Sequence, residues 1–121
     1  MDNKTILIVD DIPANRMLLK AFLADKDYHF IEAENGHQGV ELALEHKPDL
    51  ILMDITMPIM SGIEATLSIK KEPSIKNIPV IATSALKSDE RDTDENLFDG
   101  YLTKPIGLTL INATVERFLT K

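Results

Sequence analysis

The chain has no cysteine. Neither a disulfide framework nor a thiolate metal centre is available to it, and a cytoplasmic setting is permitted. It has no unbroken apolar run of about 18 residues, the length a membrane-spanning helix needs. Its first residues, MDNKTILIVD, lack the basic segment and long apolar stretch of a secretory signal. Basic residues are in deficit, with 13 Lys and Arg against 20 Asp and Glu and a net charge of −7. Phosphate backbones and anionic headgroups repel such a surface, so nucleic acid and membrane are not expected partners. No GxGxxG loop is present to cradle a dinucleotide. The three histidines, His29, His37 and His46, have no ligand-like spacing.

What is present is enough for one ordinary core. The 121 residues are 44% hydrophobic and 27% charged, and no linker, repeat or low-complexity tract divides them. A single domain over residues 1–121 is expected.

Apolar runs alternate with helical patterns along the whole chain. Thr5–Val9 and Asp49–Met53 are continuous and rich in apolar residues, as strands buried on both faces should be. Ile78–Ala82 has the same character, with Pro79 near its start. His29–Ala33 is partly polar and suits a sheet edge. Tyr101–Thr103 is a short last strand. Helices are expected over Pro13–Ala24, Gly39–Glu45, Gly62–Lys71 and Leu108–Leu119. Their apolar faces are Leu18, Leu19, Phe22 and Leu23; Val40 and Leu44; Ile63 and Leu67; and Leu108, Ile111, Val115 and Phe118. A weaker helix is expected over Ser88–Gly100, with little more than Leu97 and Phe98 to bury and several poor helix formers. Five β-α repeats predict an α/β fold with a parallel sheet covered by helices on both faces.

In such a sheet, ligands gather beyond the carboxyl ends of the strands. Asp10 and Asp11 follow the first strand, and Asp54 follows the third. Thr83 and Ser84 follow the fourth, and Lys104 and Pro105 follow the fifth. Three acids, a hydroxyl and a cation therefore converge from four places. Each alone is weak: Asp10 and Asp11 suit a helix start, Asp54 a turn, and Lys104 a solvated surface. Three carboxylates placed together repel unless a cation joins them. Oxygen donors without His or Cys suit Mg2+. A carboxylate can attack phosphorus, and the transferring group then needs counter-charges. Asp54, Lys104 and Ser84 fit those roles.

At this point the motifs ILIVDD (6–11), DLILMDITMPIMSG (49–62), PVIATSA (79–85) and YLTKP (101–105) become informative together. Over essentially its whole length the chain resembles the receiver domains of two-component response regulators and hybrid histidine kinases. The resemblance implies a flavodoxin-like (βα)5 fold, doubly wound, with sheet order 2-1-3-4-5. It implies that Asp54 takes a phosphoryl group from the phosphohistidine of a histidine kinase or histidine phosphotransfer domain. It implies Mg2+ held by Asp11, Asp54 and the backbone carbonyl of Thr56, with Asp10 acting largely through water. Ser84 would be the switch hydroxyl, Tyr101 the switch aromatic and Lys104 the phosphate-pairing cation, with a cis Lys104–Pro105 bond. Ser84 is preferred to Thr83 because PVIATSA aligns Ser84 and Ala85 with the family's hydroxyl–alanine pair. Such a module is not an enzyme in the ordinary sense; it catalyses its own phosphorylation and dephosphorylation.

There are departures. The stretch from Ser84 to Lys104 is shorter than is usual in the family, with the loss just after Ala85, which affects the segment that normally carries the switch signal. Ser61 stands where an acid is often found and is expected to be neutral. Leu86 and Thr56 lie where the family tunes hydrolysis of the acyl phosphate, and an apolar Leu86 leads to an expectation of slow dephosphorylation. DDIPANR, with Asn15, resembles receivers fused to hybrid kinases as much as free-standing ones. An aspartyl-nucleophile hydrolase of the haloacid-dehalogenase kind would need an acid where Thr56 stands. A flavin site would need a phosphate-cradling loop where DDIPAN stands. A pseudo-receiver would lack one of the five key residues.

Overall fold

The computed structural model describes residues 3–85 and 97–120. Within them, β1 (Thr5–Val9), β2 (His29–Ala33), β3 (Leu50–Asp54), β4 (Val80–Ser84) and β5 (Gly100–Thr103) form one sheet. All pairings are parallel and the order is β2-β1-β3-β4-β5. Four described helices connect or follow them: α1 (Pro13–Phe22), α2 (Gly36–His46), α3 (Gly62–Lys71) and α4 (Leu108–Leu119). This is the flavodoxin-like topology expected.

The apolar strands divide their side chains by parity, because successive residues face opposite sides. Leu7, Val9, Ile51, Met53, Val80 and Ala82 enter one core with Ala43 of α2 and Ala65 and Ile69 of α3. Ile6, Ile8, Leu50, Leu52 and Ile81 enter the other with Leu19 of α1 and Ile111 and Val115 of α4. Burying both faces is why β1 and β3 read as unbroken apolar runs. Each fully buried Leu or Ile here contributes about 1.5–3 kcal/mol.

Several boundaries differ from expectation. β3 begins at Leu50, because Asp49 is taken up outside the strand, its Oδ2 accepting the Thr5 N–H at 2.8 Å. β4 runs from Val80 to Ser84 rather than from Ile78 to Ala82, since the Ile78 N–H is turned back to the Ile75 carbonyl. Asp54, Thr83 and Ser84 are thus the last residues of their strands, not the first residues beyond them. α1 stops at Phe22. α2 starts at Gly36, ahead of its first apolar residue, because the Asn35 side chain caps the Gln38 N–H at 2.8 Å.

Leu18, Leu44, Leu67 and Leu108 are exposed, so their helices bury narrower stripes than the sequence suggested. The weak helix expected over Ser88–Gly100 lies mostly outside the described residues. At its end Leu97 and Phe98 are buried but not helical, and Gly100 already belongs to β5. Leu86 also lies outside the described residues.

Candidate functional site

Sheet register brings the acids together. Ile8 pairs with Leu52 and Val9 with Met53, so the next residues, Asp10 just past β1 and Asp54 at the end of β3, lie side by side on the same face. The strand ends are tied down. The Asp10 N–H donates to the Ala33 carbonyl at 3.1 Å, and the Ile55 N–H to the Thr83 carbonyl at 3.1 Å. One carboxylate oxygen from each of Asp10, Asp11 and Asp54 lies within 4.8 Å of the other two. Asp10 and Asp54 are buried, and Asp11 is half-buried.

Lys104 arrives from the end of β5. Its N–H donates to the Ser84 carbonyl at 2.7 Å, and its peptide bond to Pro105 is cis. Its Nζ stands 3.2 Å from Asp10 Oδ2 and 3.4 Å from Asp54 Oδ1. One ammonium therefore spans two carboxylates. Burial is the main reason the Asp54 carboxyl is pushed up to about 6. Lys104 and the Thr56 N–H oppose that shift, while Asp10 adds to it.

Ser84 and Tyr101 fall on one sheet face. Ser84 has the parity of Val80 and Ala82, and Tyr101 is Ala82's register partner and packs on the same core. Tyr101 also meets Phe98 edge-on, with ring centroids 5.5 Å apart. Thr83 has the opposite parity and pairs with Leu102. Ser84 is buried, as is Thr83. Thr56 is exposed beside Asp54.

The loop after Asp54 is shaped by two features that the sequence reading passed over. A Cβ on Gly62 would collide with the Asp54 carbonyl oxygen, so only glycine lets α3 start this close to the acid. The Gly62 N–H donates to the Ile55 carbonyl at 2.9 Å. Ser61 caps α3: its hydroxyl accepts the Glu64 N–H and the Glu64 carboxylate accepts the Ser61 N–H. The S-x-x-E spacing was the available signal for that cap.

Beside the acids lies a cavity of about 380 Å3, lined by Asn15, Leu18, Ala85, Pro105 and Ile106 together with Asp10 and Lys104. No helix among the described residues is long and apolar enough to cross a membrane. The donor set fits a hard divalent cation: three clustered carboxylates, with no sulfur or imidazole among them.

Comparison with known proteins agrees with this geometry. The polar-differentiation response regulator DivK of Brucella anthropi is 36% identical over 118 residues, covering 96% of each chain. The receiver domain of a Pseudomonas aeruginosa sensor histidine kinase, solved with a magnesium ion coordinated in its active-site cleft, is 28% identical with a TM-score of 0.86. That match covers 99% of this chain and all of that one. The response regulator TrrA of Thermotoga maritima, solved in complex with Mg(2+)-BeF, is 32% identical with a TM-score of 0.86, covering 96% and 99% of the two chains. The family model for the response regulator receiver domain matches residues 6–116, and the chain therefore belongs to that family, a signalling module of two-component systems.

Proposed function

We propose that residues 1–121 act as one phosphoacceptor receiver domain in the cytoplasm, with Asp54 as the acceptor. The observation that carries this is the meeting of the Asp10, Asp11 and Asp54 carboxylates within 4.8 Å, with Lys104 Nζ 3.4 Å from Asp54. Asp10, Asp11, Asp54 and the Thr56 carbonyl would hold Mg2+. The ion, when bound, neutralises the acids and offsets charge on a phosphoryl group.

The chain's own residues supply the remainder. An Asp54 carboxylate oxygen attacks the phosphorus of a phosphohistidine. An O–P bond forms, the N–P bond breaks, and the departing imidazole nitrogen takes up a proton. Lys104 pairs with a phosphoryl oxygen, having been held beside Asp54 in advance. Ser84 then turns its hydroxyl toward the phosphoryl group, and Tyr101 follows on the same sheet face, changing the surface a partner reads. The chain thereby catalyses its own phosphorylation and, with water as acceptor, its own dephosphorylation. The donor is a histidine kinase or a histidine phosphotransfer domain. No nucleic acid is involved, as the net charge of −7 disfavours it.

Incubation with acetyl phosphate and Mg2+, followed by intact mass measurement, tests the site. Wild type should gain one phosphoryl group and Asp54→Asn none. An adduct on the variant, or none on wild type, would refute Asp54 as the acceptor. With Leu86 two positions past Ser84, the adduct should be long-lived; rapid decay would remove that part of the proposal.

A further inference from the structure

Two successive residues of α1 hold Asp10 from different sides. Asn15 Nδ2 lies 3.4 Å from Asp10 Oδ1 and 3.3 Å from Oδ2, so one amide straddles the carboxylate. Arg16 Nη1 donates to the Asp10 carbonyl oxygen at 2.6 Å. Nε of that guanidinium is fixed in turn by Glu32 Oε1 on β2 at 2.9 Å, and Glu32 also takes Lys20 at 2.7 Å. The Asp10 carboxylate also accepts from the Ile12 N–H, 2.9 Å from Oδ1, and from Lys104, 3.2 Å from Oδ2.

We propose that Asn15 and Arg16 are positioning residues that aim the Asp10 carboxylate and so set the affinity of the site for a divalent cation. This deepens the metal-binding role proposed above and rests on it. A carboxylate free to turn loses that freedom when an ion binds, which weakens binding; one already aimed does not. Residues behind metal-site groups act in this way, and their loss typically lowers affinity about 10–100-fold. The residue types suit the task. Asn15 orients the carboxylate with a neutral donor, adding no second cation beside Lys104 to compete with the metal. Arg16 is charged, but its Nε is paired with Glu32 and its Nη1 meets the Asp10 carbonyl rather than the carboxylate, so at Asp10 it serves as a hydrogen-bond donor. Pro13 at the first position of α1 fixes the helix start, which places the amide and the guanidinium at set offsets from Asp10.

A purely architectural role, tying α1 to the sheet, predicts something different. It predicts that loss of either side chain lowers stability and leaves the affinity of the folded chain alone. Calorimetric titration of the full chain with Mg2+ separates the two, paired with urea unfolding in metal-free buffer. Asn15→Leu, similar in volume but without a donor, should bind Mg2+ about ten-fold more weakly while unfolding near the wild-type midpoint. Arg16→Met should also weaken binding, and Arg16→Lys should recover part of it by restoring one donor to the Asp10 carbonyl. An Asn15→Leu variant that binds as tightly as wild type, or loses affinity only as it loses stability, overturns the inference alone. A wild-type chain that binds no Mg2+ overturns the metal site and the inference together.

Discussion

Lys104 Nζ stands 3.4 Å from Asp54 Oδ1, and the same atom stands 3.2 Å from Asp10 Oδ2. In the metal-free chain this ammonium is what keeps two buried acids together. Lys104→Met should therefore leave like charges facing each other. A quarter of the lysine side chain is exposed, so the loss falls below that of a fully buried pair, about 1–3 kcal/mol near neutral pH. Mg2+ should restore much of it by supplying positive charge, while phosphorylation from acetyl phosphate stays slow. Urea unfolding with and without Mg2+ checks the first part, and intact mass against time the second. A variant as stable as wild type without metal would show that Lys104 does not hold the acids.

The raised Asp54 carboxyl carries a pH dependence with a definite sign. Its ordinary value is 3.8, and burial lifts it to about 6 in the folded chain. Between those values the folded state holds more protons than the unfolded state, so stability falls as pH rises through this window. Asp54→Asn removes the ionisation and leaves Lys104 paired with Asp10. The variant should match wild type near pH 4 and exceed it in metal-free stability above pH 6, with the gap opening in between. Mg2+ should then raise the midpoint of wild type much more than that of the variant. Paired unfolding curves at pH 4.5 and 7.5 decide it, and a gap that closes toward high pH would contradict the assignment.

Gly62 tests whether the Asp54 backbone must stay where α3 places it. A methyl group there meets the Asp54 carbonyl and the Ile55 Cα, both backbone, so no side chain can move aside. Gly62→Ala should cost about 2 kcal/mol or more, in the range of over-packing, and should slow phosphorylation at pH and metal levels where the variant remains folded. A control at Gly107, where nothing lies within 4 Å of an added Cβ, should leave phosphorylation unchanged. Equal rates for both alanine variants would mean that the contact does not position Asp54.

The parts of this molecule that could be read directly were those written in period and spacing. β1 was legible to the residue from its apolar run, and β2 from a short, partly polar stretch suited to a sheet edge. The acid cluster followed from motif positions at strand ends, and the sheet order from the resemblance to receiver domains that those motifs carry. The carboxyl ends of β3 and β4 were not legible. Asp54 and Ser84 look like loop residues by chemistry, yet parallel pairing extends the ladder through them, to Thr83 and Thr103 respectively. The grip of Arg16 on the Asp10 carbonyl has no sequence signature, since it depends on Glu32 of β2 holding the other side of the guanidinium. Leu18, Leu44, Leu67 and Leu108 have the helical spacing of core residues and are exposed, because spacing fixes a face but not how wide a stripe its neighbours cover.

Ile59 gives the last prediction. Its φ is 72°, and the Met60 N–H reaches back to the Pro58 carbonyl at 2.8 Å. That is a γ-turn with a β-branched residue at its centre, a strained arrangement for an L side chain. The side chain is 82% exposed, so almost no packing rewards it. Ile59→Gly relieves strain of about 1–3 kcal/mol and gives back about 0.5–1 kcal/mol through the freer unfolded chain. A net gain of about 1 kcal/mol is expected. Ile59 is exposed and is not one of the clustered acids, so phosphorylation should proceed at the wild-type rate. Denaturant midpoints of the two proteins check the stability, and the acetyl phosphate assay checks the chemistry. A less stable glycine variant would mean that Ile59 makes a contact in solution that its exposure does not show. A slower one would mean that the strained turn itself helps to set the geometry of Asp54.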